Sequence, residues 1–212
     1  MKTYLLILGL GFALTACSSE GNNTGPVRKV VQAQVKATIA KRAAKRAGKT
    51  IAPKELTRAD IKGIKEALII ISVPKIGYKE IAKKVANNGG YENFYTGTNK
   101  SFVLRNGQLT ATRGLRYDLM SRSLTQSPRK YNYLSATNGI ATLAVNCETA
   151  SKASQTVTIL ERQYNLALTE EVCRNSFTGF KNRVWRDSSG KAWKAEQWIG
   201  KDTGFAIIEW LN

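Results

Sequence analysis

The chain has 212 residues, 42% of them hydrophobic, with 33 Lys and Arg against 15 Asp and Glu and a formal net charge of +18. That is enough apolar material for one substantial core. It contains no histidine, which excludes Ser-His-Asp and Cys-His catalysis and removes the commonest metal ligand. Carboxylate pairs and Ser-Lys dyads remain as formal options, but no spacing singles one out, so the sequence predicts no catalytic residue, no metal and no cofactor.

Residues 1–16 read as a signal segment. Lys2 precedes an apolar run from Tyr4 to Leu14, which has the length of a signal core and is too short to span a bilayer. Leu14-Thr15-Ala16-Cys17 then resembles the cleavage box of bacterial lipoproteins. That resemblance implies a diacylglycerol on the Cys17 thiol, cleavage before it and acylation of the new N-terminus. Two or more acyl chains hold a protein stably at a membrane, because each buried methylene contributes about 0.8 kcal/mol. Ser18 stands where Asp would retain such a lipoprotein at the inner membrane, so the expected site is the outer membrane, facing the periplasm.

Residues 17–26 are polar and contain Gly and Pro, and are expected to form a short tether. Residues 27–52 are expected to be a basic helical segment. Val27, Val31, Val35 and Thr38 make a narrow apolar stripe, after which Arg42, Lys45 and Lys49 occupy the same sector. Such a segment is either solvated or in contact with anionic lipid or polymer.

Residues 53–212 are expected to be one antiparallel β domain. It opens with a helix in which Thr57 caps, Asp60 sits at the third position and Leu56 and Ile61 form a hydrophobic staple. Leu68–Val73 is a β-branched run stopped by Pro74, and suits a buried strand. Ser101–Arg105, Asn106-Gly107 and Gln108–Thr112 form a hairpin signature, since a two-residue type I′ turn needs positive φ at both positions. Tyr131–Thr137, Ile140–Cys147, Gln155–Leu168, Val172–Phe177, Phe180–Arg186, Lys191–Ile199 and Phe205–Leu211 are further strands. The fold class is therefore mainly β, an antiparallel barrel-like or sandwich domain with one or two N-terminal helices.

With Cys17 taken by the anchor, Cys147 and Cys173 remain as an even pair in an oxidising compartment and are predicted to be bridged. They are too far apart in sequence for a redox or zinc motif.

Two blocks carry most of the remaining signal, Thr112–Met120 and Asn182–Gly200. In the first, Gly114 permits a bend, and either Arg113 and Asp118 pair across it or Asp118 caps the adjoining segment. In the second, Trp185, Trp193 and Trp198, with Trp210 beyond, lie on the last strands. A row of them would make a platform for sugar rings, although tryptophans on strands are more often core. Gln197 beside Trp198 is the accompanying polar group. Arg113, Asp118, Trp185, Gln197 and Trp198 are thus the candidate ligand or partner contacts.

With the Cys17 box and the Asn-Gly hairpin, these blocks resemble the YjbF family of group 4 capsule polysaccharide lipoproteins from about Leu56 to Leu211. The chain departs from the family pattern at Arg116-Tyr117 and at Ala195. The resemblance implies a mainly antiparallel, barrel-like, non-catalytic outer-membrane lipoprotein serving exopolysaccharide or capsule production. Its expected partners are outer-membrane lipid, through acylated Cys17, an acidic polysaccharide and polysaccharide export proteins. Specific nucleic-acid binding is not expected. Nonspecific polyanion binding and a purely structural envelope tether are the alternatives.

Overall fold

The computed structural model describes residues 32, 33, 36, 56–135 and 137–212. The signal segment, Cys17 and the tether lie outside the described residues. So does the basic segment, except for Gln32, Ala33 and Lys36, which are helical and exposed.

Twelve antiparallel strands make one sheet: β1 (Leu68–Val73), β2 (Tyr78–Asn88), β3 (Tyr91–Thr96), β4 (Ser101–Arg105), β5 (Gln108–Arg113), β6 (Leu119–Arg122), β7 (Arg129–Leu134), β8 (Ile140–Ile159), β9 (Arg162–Arg174), β10 (Gly179–Arg186), β11 (Ala192–Gly200) and β12 (Gly204–Trp210). Their order is β5-β4-β3-β2-β1-β12-β11-β10-β9-β8-β7-β6. The first strand pairs with the last. The sheet curls into a nearly closed barrel, as the sequence predicts.

The apolar run of β1 is explained by its two covered faces. Ile69, Ile71 and Val73 belong to the main core with Phe94, Phe102, Leu104, Leu109, Tyr131, Ile208 and Trp210. Leu68 and Ile70 belong to a second cluster with Ile61, Ile64, Ile81, Ile159 and Leu211. That second cluster exists because the long β8–β9 hairpin outruns its neighbours. Its ladder shifts register between Lys152 and Gln155, and Ile159 at its tip packs against the segment before β1. Arg58 anchors the tip by donating to the Ile159 and Leu160 carbonyls at 3.1 Å each.

The helix expected near Thr57 is only a 3-10 turn, Ala59–Ile61. Gly63, at φ +80°, ends it early. The local chemistry is nevertheless as expected: Asp60 accepts from the Thr57 N–H (2.9 Å) and hydroxyl (2.7 Å), and Ile61 is buried with Leu56 against the same cluster. At the Asn106-Gly107 turn both residues have positive φ, 50° and 72°, as a type I′ turn requires.

Candidate functional site

The first sequence block closes the barrel. Strands β5 and β6 are the two ends of the sheet and meet side by side without a shared ladder. Asp118 accepts from the Thr112 hydroxyl (2.7 Å) and from the N–H groups of Gly114 (2.8 Å) and Leu115 (3.2 Å), so it caps the bend. The Thr112 hydroxyl in turn accepts from the Leu119 N–H at 2.9 Å. Arg113 points its guanidinium at the carbonyls of Thr112 (2.6 Å), Leu119 (3.2 Å) and Met120 (3.2 Å). Of the two readings left open, capping is what the geometry displays, and the polar atoms of both residues are committed to the seam.

Behind the seam, inward-facing side chains of β6, β7, β9, β10 and β11 converge on a buried polar network. Arg122 donates to Gln197 Oε1 (2.6 Å), to Gln108 Oε1 (3.4 Å) and to Glu171 Oε2. Arg129 reaches Glu171 Oε1 at 3.1 Å. Asn182 donates to Glu171 Oε2 (2.9 Å) and to the Tyr131 hydroxyl (3.1 Å), and accepts from the Trp198 backbone N–H (2.8 Å). Burial raises the Tyr131 phenol above its ordinary range, against the pull of Arg122. Gln197 has no exposed surface and is a member of this network. Trp198 is half-buried, stacked on Phe180 at 5.0 Å and edge-on to Phe205 at 5.1 Å. Sequence reasoning does not single out Arg122, Glu171 or Asn182. The available signal is a charged or amide side chain at an inward position of an alternating strand.

Cys147 and Cys173 face each other across β8 and β9 and are joined, with an S–S distance of 2.06 Å and Cα atoms 4.0 Å apart. Glu171 lies close to both sulfurs, but the bridge occupies them and two arginines hold the carboxylate, which leaves no donor set for a metal there.

The four tryptophans do not form one row. Trp198 and Trp210 pack in the main core, while Trp185 and Trp193 lie on the outer face. The Trp185 indole N–H donates to Gln155 Oε1 at 2.9 Å, and that of Trp193 to Asp187 Oδ2 at 2.7 Å. Trp193 also stacks on Tyr164 at 4.4 Å, with the Lys191 ammonium 4.1 Å from its ring.

Trp185 is the candidate residue that meets an open space. A groove of about 630 Å³ runs along the outer face beneath the β8 irregularity. Trp185, Leu168 and Ile207 line it with apolar surface, and Arg183, Glu170, Glu196, Lys194, Lys152 and Gln155 supply polar groups. Arg183 bridges Glu170 (3.0 Å) and Glu196 (2.9 Å), and Lys181 approaches Glu170 at 3.3 Å. The Arg183 and Lys181 cations hold the Glu170 carboxyl below the usual carboxylate range, which suits an ion pair and not a general acid. Lys152 is exposed. The groove therefore presents hydrogen-bonding groups and cations around an aromatic and aliphatic floor, chemistry suited to a hydroxyl-rich ligand carrying negative charge.

A family model described as group 4 capsule polysaccharide lipoprotein gfcB, YjbF, matches residues 32–211. Among solved structures, the fold resembles the crystal structure of the hypothetical lipoprotein YmcC from Escherichia coli (K12), with a TM-score of 0.65 and 14% sequence identity over 84% of this chain and 93% of that one. No curated protein matches the chain. Among the described residues no helix is long and apolar enough to cross a membrane.

Proposed function

The chain belongs to the YjbF family of group 4 capsule polysaccharide lipoproteins, and we propose that it is a non-catalytic accessory protein that engages an acidic envelope polysaccharide during its production or export. In this reading the protein is held at the outer membrane by acylated Cys17 and faces the periplasm. The outer-face groove contacts the polymer: Trp185 and Ile207 pack against sugar C–H faces, Lys152 and Lys194 attract carboxylates, and Gln155 and Glu196 take hydroxyls.

The observation that carries this reading is the groove itself, an open, elongated space where cations border an aromatic ring in a chain of net charge +18. A field of one sign draws in and retains a polyanion at low salt. The polar atoms of Arg113, Asp118 and Gln197 are held internally, so the groove is the better candidate contact.

The test is binding of the purified protein to its own host's polysaccharide across ionic strength. Binding that steepens at low salt and is lost in Lys152→Glu/Lys194→Glu supports the reading. Unchanged surface polymer after gene deletion, together with no binding in vitro, defeats it. Equal affinity for DNA and for the polymer would favour the general polyanion binder instead. Cell fractionation of Cys17→Ser tests the anchor separately, with release from the membrane as the expected outcome.

A further inference from the structure

We infer that the exposed edge of β8 pairs with the same edge of a second copy of this chain, joining two barrels about a two-fold axis at Ala150. Strand β7 covers β8 only from Ile140 to Val145. On the other side of β8, β9 continues as far as Ile159. From Asn146 to Lys152 the outward backbone groups therefore have β9 behind them and, among the described residues, no strand in front. The stretch Asn146-Cys147-Glu148-Thr149-Ala150-Ser151-Lys152 is exposed except at Cys147. It ends at the register shift after Lys152, where the chain leaves the line of the edge. An open edge of this kind is a template for another strand.

The register follows from the ladder. Cys147 and Cys173 are directly opposite with Cα atoms 4.0 Å apart, the spacing of a non-hydrogen-bonded pair, for which about 4.5 Å is usual. Residues Cys147, Thr149 and Ser151 therefore direct their backbone groups away from β9, and Glu148 and Ala150 direct theirs toward it. Two antiparallel copies of β8 can then meet only with like positions opposed. If the axis passes through Ala150, Thr149 exchanges both hydrogen bonds with Ser151 of the second copy, and the small Ala150 side chains meet at the close position. Glu148 then lies opposite the second copy's Lys152, and Lys152 opposite its Glu148, on the outer face. An axis at Glu148 or at Lys152 would oppose like charges, and an axis at Thr149 or Ser151 would leave both charges unmatched. Charge and hydrogen-bond parity thus select one self-complementary register, as a two-fold interface requires. The bend after Lys152 carries each chain clear of the other copy's β7.

The pairing does not depend on polymer binding and is tested on the full-length protein in its membrane. Ala150→Cys places two thiols across the axis at a spacing compatible with a disulfide. The expected result is a reducible homodimer on a non-reducing gel, absent when cysteine replaces Thr158 instead. Adding Glu148→Lys should lower the dimer fraction about tenfold, since both symmetric pairs turn repulsive. Combining Glu148→Lys with Lys152→Glu should restore it. Thr149→Pro, which removes an outward N–H and leaves the β9 ladder intact, should abolish the dimer while protease resistance persists. A monomer throughout, cross-linking of Ala150→Cys to a different protein, or a dimer indifferent to the charge reversal would each overturn the pairing.

Discussion

Arg122 and Glu171 form an ion pair inside the barrel, with the Arg122 side chain wholly shielded from water. Removing one partner of such a pair leaves an uncompensated buried charge, which costs about 3–5 kcal/mol. Glu171→Ala is therefore expected to lower the urea midpoint severely. Arg122→Met/Glu171→Met should lose less than the sum of its single changes, because neither charge is then left behind. Equal, additive losses in a double-mutant cycle would mean that the two side chains are not coupled.

Gly107 sits at φ +72°, and a β-carbon there would lie 2.3 Å from the Ala192 Cβ. The Asn106-Gly107 turn is pressed against the start of β11, and Arg186 donates to the Asn106 carbonyl from the same side. Gly107→Ala combines a clash with left-handed strain and should cost roughly 2–4 kcal/mol. Gly90→Ala, at φ +81° with nothing within 4 Å, carries the strain alone and should cost about 1 kcal/mol. Thermal melts of the two variants separate the clash from the strain.

The bridge between Cys147 and Cys173 closes a separation of 26 residues. In the loop-entropy account, replacing both cysteines by alanine should lower stability by about 3 kcal/mol. Adding a reductant to the native protein should reproduce that shift and leave the double variant unchanged, as read by urea unfolding with and without reductant.

Asp187 organises the β10–β11 turn. It accepts from the Ser189 hydroxyl (2.6 Å), the Trp193 indole N–H (2.7 Å) and the N–H groups of Ser189 (2.9 Å) and Lys191 (3.1 Å). Hydrogen bonds from Ser189 and Trp193 hold its carboxyl at about 2, below its ordinary 3.8. A folded value below the unfolded one means that the contribution is complete above the ordinary value and disappears as pH falls from about 4 toward 2. Asp187→Asn should flatten the acid limb of a stability-versus-pH curve in that window and leave the neutral region parallel to wild type. Trp193 fluorescence, which reports the indole's partner directly, should then no longer titrate there.

Much of the sheet is legible in the sequence and some is hidden, for identifiable reasons. The β4–β5 hairpin and β1 are plain because turn chemistry and an unbroken β-branched run each have one structural meaning. Strands β2 and β3 escape notice. Lysines and asparagines blur the alternation of β2, and the signal that remains is Gly89-Gly90, both at positive φ. Gln155–Leu168 reads as one strand because the turn inside it is made by Leu160 and Glu161, at φ 43° and 67°, two residues with no turn preference. They are held there because the hairpin tip is packed down by Ile159 and gripped by Arg58. In the candidate site, Trp185 is legible as a type and a position. Its companions in the groove come from β8, β9, β11 and β12 as well as its own strand, and only barrel closure brings them together.

Strand β1 lies against β12, and the side chain of Asn212 accepts from the Leu68 N–H (2.9 Å) and donates to the carbonyls of Ile64 and Glu66 (3.0 Å each). A polypeptide delivered N-terminus first cannot complete this barrel until β12 and Asn212 arrive. Local hairpins can zip early, but the apolar flank of β1 waits, uncovered, for the whole length of the journey, and long-range pairings of this kind are slow to form. The lag between emergence and closure is the interval in which an escort for the nascent protein would matter most, and shortening the chain by even its last few residues should prolong that vulnerability more than trimming any surface loop.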